Sequence, residues 1–311
     1  MSENERPIVI ASRRSRLARV QAEAVGAELE RLNPGVDVVY RWIESEGDQQ
    51  LTAALADSGG KGLFARAIEK ALLVNQADVA VHSYKDLPAE ITPGLSIVAV
   101  PLRADPRDCL IADKSVDSLD DLPEAATVGT ASPRRAAQLK RLRPDLEIGL
   151  LRGNVETRLR RVLQEHRFHA TLLAAAGLSR MGLAEHAHLP LDPAVFLPAA
   201  SQGALAIQCR TDDELTRARC AGLNHPQTAA AVNAERQVVA ALHGDCHSPI
   251  AVLGELSDSG RLILRARVLS LDGKQCLESR ADDDAAAANT IVERVVADLQ
   301  EQGSERVLRI R

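Results

Sequence analysis

The first half of this chain alternates short β-branched runs with longer amphipathic segments, and this alternation restricts the fold more than any other feature. The run "PIVIAS" predicts a strand, and Ser15 is placed to cap a helix that continues at helical spacing to "NPG". The segments "VDVVYRWIES" (strand), "GLFARAIEKALL" (helix) and "ADVAVHS" (strand, ending at Ser83) continue the series. Such alternation is typical of α/β domains.

A second series of the same kind begins near Arg103. "CLIA" and "TVGTAS" predict strands, and Ser132 followed by Pro133 predicts the start of a helix. "LEIGLLRGN" and "TLLAAAG" predict further strands on either side of the helical segment "VETRLRRVLQEH". Because functional side chains of α/β sheets gather where strands end in loops, these loops are the first candidates for a site.

The pattern changes near residue 222. A helix over "AAAVNAERQVVAAL" precedes an antiparallel meander over residues 249–280, with turns at Asp258-Ser259-Gly260 and Asp272-Gly273. The segment "AAAANTIVERVVADLQEQ" predicts a closing helix. The last third of the chain therefore predicts a small α+β domain.

Composition restricts the possible ligands. A net charge of -5 argues against a general nucleic-acid binder, which needs a broad basic surface. Arginines gather locally instead, in "ASRRSRLAR", "SPRR", "KRLRP" and "LRGNVETRLRR", a pattern that suits a small polyanionic ligand. The sequence has no apolar run of membrane-spanning length and an acidic N-terminal segment, so we expect a cytoplasmic protein without a membrane partner.

Two groups of polar residues are candidates for chemistry or binding. In "VHSYKDLP", Lys85 and Asp86 share a loop at a strand end, so Asp86 is either a general acid/base or one half of a surface ion pair. In "TASPRR", the first helical turn holds two arginines, and "LRGNVETRL" holds two more. These four residues either bind carboxylates or form solvated faces: Arg134, Arg135, Arg152 and Arg158.

The glycine-rich segment "GGKGLF" lacks the spacing of a phosphate-binding loop, and no Ser or Thr follows Lys61. It is either a hinged lid that carries a cation or a plain loop.

Five cysteines, odd in number and without a C-x-x-C pair, argue against a disulfide framework or a zinc ribbon. Cys246 is unusual because the turn residues of "GDCHSP" surround it. It could be a metal ligand with His243 and His247, a nucleophile, half of a disulfide, an attachment point or a free structural thiol. These residues alone leave the choice open, and we assign no metal site.

Taken together, the motifs resemble the porphobilinogen deaminase (hydroxymethylbilane synthase) family. The matching segments run through most of the chain: "ASRRSRLARVQA", "GGKGLFARAIEKALL", "ADVAVHSYKDLP", "DPRDCLI", "VGTASPRRAAQL", "LRGNVETRL", "LAAAGLSRMGL", "LPAASQGALAIQCR" and "GDCHSPI". The resemblance implies a transferase of tetrapyrrole (haem) biosynthesis that joins four porphobilinogen molecules head to tail. Ammonia leaves at each step, and hydroxymethylbilane is released at the end.

The resemblance also implies roles for single residues. Cys246 would anchor a dipyrromethane cofactor through a thioether, and Asp86 would be the catalytic carboxylate that stabilises the cation formed on deamination. Phe64 would pack over a pyrrole ring and Lys61 would lie on a mobile loop, where Asp57 replaces a cation that relatives often carry. The implied cofactor contacts are Ser83, Lys85, Arg134, Arg135 and Arg158, and the implied substrate contacts are Arg13, Ser15, Arg152, Arg180 and Gln202.

The implied fold has two α/β domains that resemble periplasmic binding proteins, and a C-terminal α+β domain. The first comprises residues 1–103 and 204–221, and the second comprises residues 104–203. The third, residues 222–311, has a three-stranded antiparallel sheet and carries Cys246. The family also implies a monomer that passes its product to the next enzyme of the pathway.

Two rival functions remain. A noncatalytic anion-binding protein could share this architecture, since a fold does not fix a function, but it would lack covalently bound pyrrole. An RNA-binding module could use the arginine pairs, but an aromatic content of 2% leaves few side chains for base stacking.

Overall fold

A computed structural model of the 311-residue chain describes residues 6–44, 65–112, 114, 116–187, 189–245 and 247–309. The strands are β1 Ile8–Arg13, β2 Val38–Ile43, β3 Val79–Ser83, β4 Leu95–Ala99, β5 Asp108–Ala112, β6 Thr127–Gly129, β7 Glu147–Gly149, β8 Ala170–Ala174, β9 Leu205–Arg210, β10 Ile250–Leu256, β11 Arg261–Leu269 and β12 Cys276–Asp284. The α-helices are α1 Arg16–Leu32, α2 Arg66–Leu73, α3 Pro133–Leu142, α4 Val155–Leu163, α5 Ala175–Arg180, α6 Glu214–Cys220, α7 Pro226–Ala241, α8 Ala288–Glu301 and α9 Ser304–Arg309. Four residues singled out in the sequence lie outside the described residues: Asp57, Lys61, Phe64 and Cys246.

The chain divides into two compact units, of which the first comprises Met1–Ala104 and Ala204–Ala229. Its five-stranded sheet has the order β2-β1-β3-β9-β4. Strands β1, β2 and β3 are parallel, whereas β9 is antiparallel to both β3 and β4. Helix α1 packs on one face of this sheet and α2 on the other, so alternate residues of β1 and β3 enter two different cores.

This topology brings three chain segments to one edge of the sheet. β1 and β3 run side by side in the same direction, so both strands end at the same edge of the sheet, β1 at Arg13 and β3 at Ser83. β9 starts there, since Leu205 pairs with Ser83 and the N–H of Tyr84 donates to the carbonyl of Ala204. The predicted cap of α1 is confirmed, because the Ser15 hydroxyl accepts from the N–H of Ala18.

The second unit comprises Asp105–Gly203 and Ala230–Arg311. Its first sheet has the order β5-β8-β6-β7, in which β6, β7 and β8 are parallel and β5 is antiparallel to β8. The predicted cap of α3 is confirmed, with the Ser132 hydroxyl accepting from the N–H of Arg135 and Pro133 at the first helical position. Asn154 caps α4 in the same way.

The prediction of a strand over the whole of "TLLAAAG" is wrong. β8 ends at Ala174, and α5 begins at the next residue. Alanine is the strongest helix former, so the alanines at the end of this run continue as a helix once the strand leaves the sheet. The change of structure places Arg180 at the carboxyl end of α5.

The predicted α+β architecture of the last third is confirmed. β10, β11 and β12 form a three-stranded antiparallel sheet, and its turns contain Gly260 and Gly273 at φ of 79° and 73°. Helices α7 and α8 contribute to the core on one face of this sheet. At Gly254 a side chain would come within 2.9 Å of the Ala231 carbonyl oxygen, so the close approach of α7 to β10 requires glycine there.

The predicted boundaries of three domains stay a prediction, since the compact units are two and the second contains two sheets. Among the helices that the structure describes, none is long and apolar enough to cross a membrane.

Candidate active site

A small cavity of about 60 Å³ lies at the edge of the first unit where β1 and β3 end. Four of the residues predicted to bind or react line it: Arg13, Ser15, Ser83 and Asp86. The sequence predicted this convergence only through strand ends and the family resemblance. The structure adds three further polar lining residues to which the sequence assigned no role: Ser12, Gln21 and His82.

Local structure determines how these side chains are presented. Asp86 is the last residue of a 3₁₀ turn, Tyr84–Asp86. The N–H of Leu87 donates to the carbonyl of Tyr84 and closes this turn. Tyr84 is buried and anchors the turn, whereas Asp86 is exposed and Lys85 is half-buried. The loop therefore presents a solvent-accessible carboxylate beside a cation, as general acid/base work or charge stabilisation requires.

Two of the three serines that line this cavity, Ser15 and Ser83, are already oriented by the fold. The Ser83 hydroxyl donates to Oε1 of Gln21 at 3.1 Å. The Ser15 hydroxyl accepts from the N–H of Ala18 at 3.4 Å, which leaves its own proton for an anionic acceptor. Each serine thus lines the cavity in a fixed orientation.

In the second unit, the predicted arginines of α3 meet a buried carboxylate. Asp108 begins β5 and is 0% exposed. Its Oδ1 accepts from Nη2 and Nε of Arg135 at 2.6 and 3.1 Å, and its Oδ2 accepts from Nη1 of Arg134 at 2.8 Å. Gln202 adds a fourth donor atom, Nε2, which lies 3.0 Å from Oδ1 and 2.7 Å from the carbonyl oxygen of Pro106.

This cluster around Asp108 has an unbalanced charge. Burial opposes ionisation of Asp108, but the two guanidinium groups outweigh it and hold the pKa of this carboxyl well below its usual range. Burial lowers the pKa of Arg134, yet an arginine side chain stays protonated in proteins. One carboxylate cannot neutralise two guanidinium groups, so the cluster carries a net positive charge.

Arg134 and Arg135, both predicted to bind the cofactor, differ in how much of each guanidinium the cluster uses. Nε and Nη2 of Arg135 contact Asp108 and its Nη1 donates to the carbonyl of Leu172, so all three nitrogens are engaged. The hydrogen bonds of Arg134 within the described part of the chain use Nη1 alone, toward Asp108 and the carbonyl of Leu197. Arg134 therefore keeps donors for a ligand carboxylate, whereas Arg135 would have to give up a contact.

The other predicted arginines of this unit follow the parallel strands. Arg152 follows β7 and has no ion-pair partner among the residues described. Arg158 lies in the first turns of α4, where its Nε donates to the carbonyl of Gly153 at 2.9 Å. Nη2 of Arg180 donates to the carbonyl of Gly203 at 2.7 Å, and burial without a paired carboxylate lowers its pKa. A half-buried guanidinium without an opposing charge is suited to an anionic ligand.

The sequence assigned no role to Asp108, although this residue lies in the family-matching segment "DPRDCLI". The signal was an acid at the start of an otherwise apolar strand, because a carboxylate enters a core only with cations or hydrogen-bond donors around it. The arginine pair of "SPRR" supplies those cations.

The thiols in the described part of the chain are poor candidates for an attachment point. Burial raises the pKa of Cys109 and of Cys209 to about 11, and that of Cys220 to about 12. Cys276 is half-buried, and burial raises its pKa as well. Among the described residues, no group of three or more His, Cys, Asp or Glu side chains is arranged to hold a metal ion.

The fold is that of an α/β protein, and at the ends of its strands lie guanidinium groups and the exposed carboxylate of Asp86, a donor set of the kind that can hold an anionic ligand. Residues 8–218 match the family model described as "Porphobilinogen deaminase, dipyromethane cofactor binding domain", and residues 229–301 match that of the "Porphobilinogen deaminase, C-terminal domain". The chain belongs to the porphobilinogen deaminase family.

Individual relatives agree with the family model over nearly the full chain. The porphobilinogen deaminase of Syntrophobacter fumaroxidans is 45% identical over 304 residues, covering 98% of this chain and 97% of the relative. That of Legionella pneumophila is 42% identical and covers 97% of each chain. Among solved structures, the periplasmic aliphatic sulphonate binding protein SsuA from Escherichia coli is similar at 16% identity and a TM-score of 0.42, covering 76% of this chain and 69% of SsuA.

Proposed function

We propose that this chain carries out the family's reaction on its own residues: head-to-tail condensation of four porphobilinogen molecules, with release of ammonia and finally hydroxymethylbilane. The observation that carries this proposal is the cavity at the ends of β1 and β3, where Asp86 lies with Arg13, Ser15 and Ser83. Membership of the porphobilinogen deaminase family supports the assignment.

Asp86 is the catalytic carboxylate of the proposal. The carbon–nitrogen bond of the aminomethyl group breaks, ammonia leaves with the electron pair, and a positive charge spreads over the pyrrole ring and its nitrogen. An accessible carboxylate stabilises that charge. A new carbon–carbon bond then forms to the α-carbon of another pyrrole, and that carbon loses a proton, which Asp86 would accept.

Each substrate brings an acetate and a propionate side chain, and the arginines supply counter-charges. Arg13 and Ser15 line the Asp86 cavity and would hold substrate carboxylates there. In the second unit, Arg152 and Arg180 would do the same with guanidinium groups that no carboxylate of the described residues neutralises.

A dipyrromethane cofactor fits the donor set of this chain. When bound, it supplies the free pyrrole α-carbon to which the first substrate adds. The net positive charge of the Asp108 cluster and the unused donors of Arg134 suit one of its carboxylates. Ser83, Lys85 and Arg158 complete the proposed cofactor contacts. For Arg135 and Gln202 the geometry favours a different role, because both are held on Asp108 and so position Arg134.

Cys246 is the proposed attachment point. The other four thiols are buried or half-buried with raised pKa values, and a thiol that must react needs access to solvent. The residues on either side of Cys246 form a hydrogen-bonded turn, since the Asp245 carboxylate accepts from the N–H of His247 and from the hydroxyl of Ser248.

The finer parts of the proposal follow from the family alone. They are a monomeric state, a cytoplasmic location, transfer of the product to the next enzyme of tetrapyrrole synthesis, and no nucleic-acid or membrane partner. The loop roles of Lys61 and Phe64 belong to the same set.

The test of the proposal is a turnover assay with porphobilinogen that quantifies ammonia and hydroxymethylbilane. We expect four ammonia molecules per hydroxymethylbilane, and a loss of roughly a hundredfold or more in kcat for Asp86→Asn. Asp37→Asn is the matched control, an exposed carboxylate of the same unit just before β2, at the opposite edge of the sheet. Undiminished ammonia release by Asp86→Asn would remove the assigned role, and a wild-type protein without turnover would favour the anion-binding protein.

A further inference from the structure

A chain of buried side chains connects helix α2 to the wall of the Asp86 cavity. Glu69 on α2 accepts from the Thr92 hydroxyl at 2.8 Å and from Nε2 of Gln208 at 2.9 Å. Oε1 of Gln208 on β9 lies 3.0 Å from Nε2 of His82 on β3. Glu69, Gln208 and His82 are 7%, 0% and 7% exposed, and His82 lines the cavity together with Asp86.

The chemistry of these groups fixes the direction of every hydrogen bond. A carboxylate only accepts, so the amide nitrogen of Gln208 must face Glu69; the flipped amide would set two oxygens against each other. The amide oxygen then faces His82, and only a protonated Nε2 can donate to it. Both oxygens of Glu69 face donors, Oε1 the amide nitrogen of Gln208 and Oε2 the hydroxyl of Thr92, which is the arrangement that a carboxylate makes.

His82 in this position carries a single proton at neutral pH. Burial lowers the pKa of His82 to about 4, although the charges of Glu69 on α2 and Asp86 on the 3₁₀ turn both oppose the shift. From β1, Arg13 brings a guanidinium group to the lining of the same cavity. The ring is therefore neutral, with its proton on Nε2 and a lone pair on Nδ1.

A neutral imidazole at this place has a consequence for the reaction proposed above, on which the inference rests. A histidinium would cancel much of the negative charge of Asp86 and would repel the cation that forms when ammonia leaves. We propose that Glu69 and Gln208 are positioning residues: burial keeps the His82 ring uncharged beside Asp86, and these two side chains hold that ring in one tautomer, protonated on Nε2, and in one orientation in the wall of the cavity, which turnover requires.

The first test reads the proton position directly, by nitrogen NMR of the imidazoles in the holoenzyme. We expect the wild-type His82 ring to be neutral and protonated on Nε2 throughout about pH 5 to 8. Glu69→Gln keeps the shape but no longer fixes the Gln208 amide, so both tautomers should be seen. Thr92→Val is the matched control, since it removes a donor to Glu69 and leaves the direction of the other bonds unchanged. A histidinium or an Nδ1 proton in the wild type, or a single tautomer in Glu69→Gln, would overturn the proposal.

The second test asks whether that state matters for turnover. Glu69→Gln should lower kcat by up to about tenfold, the rate equivalent of one hydrogen bond, with KM and thermal stability close to wild type. His82→Leu is also uncharged but leaves the buried amide oxygen of Gln208 without its donor, so it should lower kcat similarly or more. His82→Gln, which keeps an uncharged N–H donor toward Gln208, should restore most of the lost kcat.

Two results would overturn the functional half of the proposal. One is an unchanged kcat in a Glu69→Gln enzyme whose tautomer has changed. The other is a His82→Gln enzyme as impaired as His82→Leu, which would make His82 an acid or base in its own right. Loss of wild-type turnover would instead contradict the proposed function and leave the NMR result standing.

Discussion

Replacing Asp108 by Asn tests the charge cluster of the second unit. The carboxylate is 0% exposed, and its two partner side chains, Arg134 and Arg135, are 5% and 7% exposed. Removing one partner of a buried ion pair costs about 3–5 kcal/mol, because it leaves an uncompensated charge in the core. Here two guanidinium groups lose their partner, so we expect the free energy of unfolding to fall by an amount in the upper part of that range.

The assay is urea and thermal unfolding of purified wild-type and Asp108→Asn protein, followed by a probe that reports the second unit. Each kcal/mol lost from the free energy of unfolding should lower Tm by about 2–4 °C for a unit of this size. Asp145→Asn is the matched control, since Asp145 pairs with Arg143 at 2.7 Å nearer the surface and should matter much less. A loss for Asp108→Asn no larger than for Asp145→Asn would refute the reasoning.

The pH dependence of the same measurement has a definite sign. The pKa of Asp108 is lower in the folded state than in the unfolded state. Its contribution to the free energy of unfolding is therefore complete above the pKa of the unfolded state, near 4, and is lost as the pH falls toward the pKa of the folded state. The stability difference between wild type and Asp108→Asn should therefore be constant from about pH 5 to 8 and should shrink below about pH 4. A difference that grows on acidification would contradict the assignment.

Two further predictions concern Ser201 and Arg180. Ser201 has a φ of 62° and a buried hydroxyl without a hydrogen-bond partner among the described residues, so Ser201→Gly should raise the free energy of unfolding by up to about 1 kcal/mol. Ser201→Ala keeps the strained backbone and should gain less; equal gains in urea unfolding would exclude backbone strain as the cause. Arg180→Gln should raise the KM for porphobilinogen roughly tenfold or more without loss of stability, because its half-buried charge has no carboxylate partner in the described chain. A destabilised variant with an unchanged KM would show a structural role instead.

Local sequence signals predicted much of the fold. Ser15 and Ser132 were identified as caps because a short polar side chain before a periodic apolar segment has few other uses. β4 and β9 had no such signal; β9 belongs to the first sheet only because the chain returns there after the second α/β series. Pairings between distant segments do not show in periodicity.

The candidate site was also predictable only in part. Arg13, Ser83 and Asp86 could be placed together because parallel strands end at one edge of a sheet. The difference between Arg134 and Arg135 could not be predicted, because it depends on which nitrogens face Asp108, and Asp108 is distant in the sequence. The link from Glu69 through Gln208 to His82 joins three separate elements and was hidden for the same reason.

The most direct test of the whole account is the intact mass of the denatured protein, purified after exposure to porphobilinogen, beside that of Cys246→Ser treated identically. We expect an excess mass of two linked pyrroles in the wild type and the bare sequence mass in the variant. A wild-type protein with the bare sequence mass, or the same adduct in Cys246→Ser, would contradict the proposal that a dipyrromethane on Cys246 anchors the reaction.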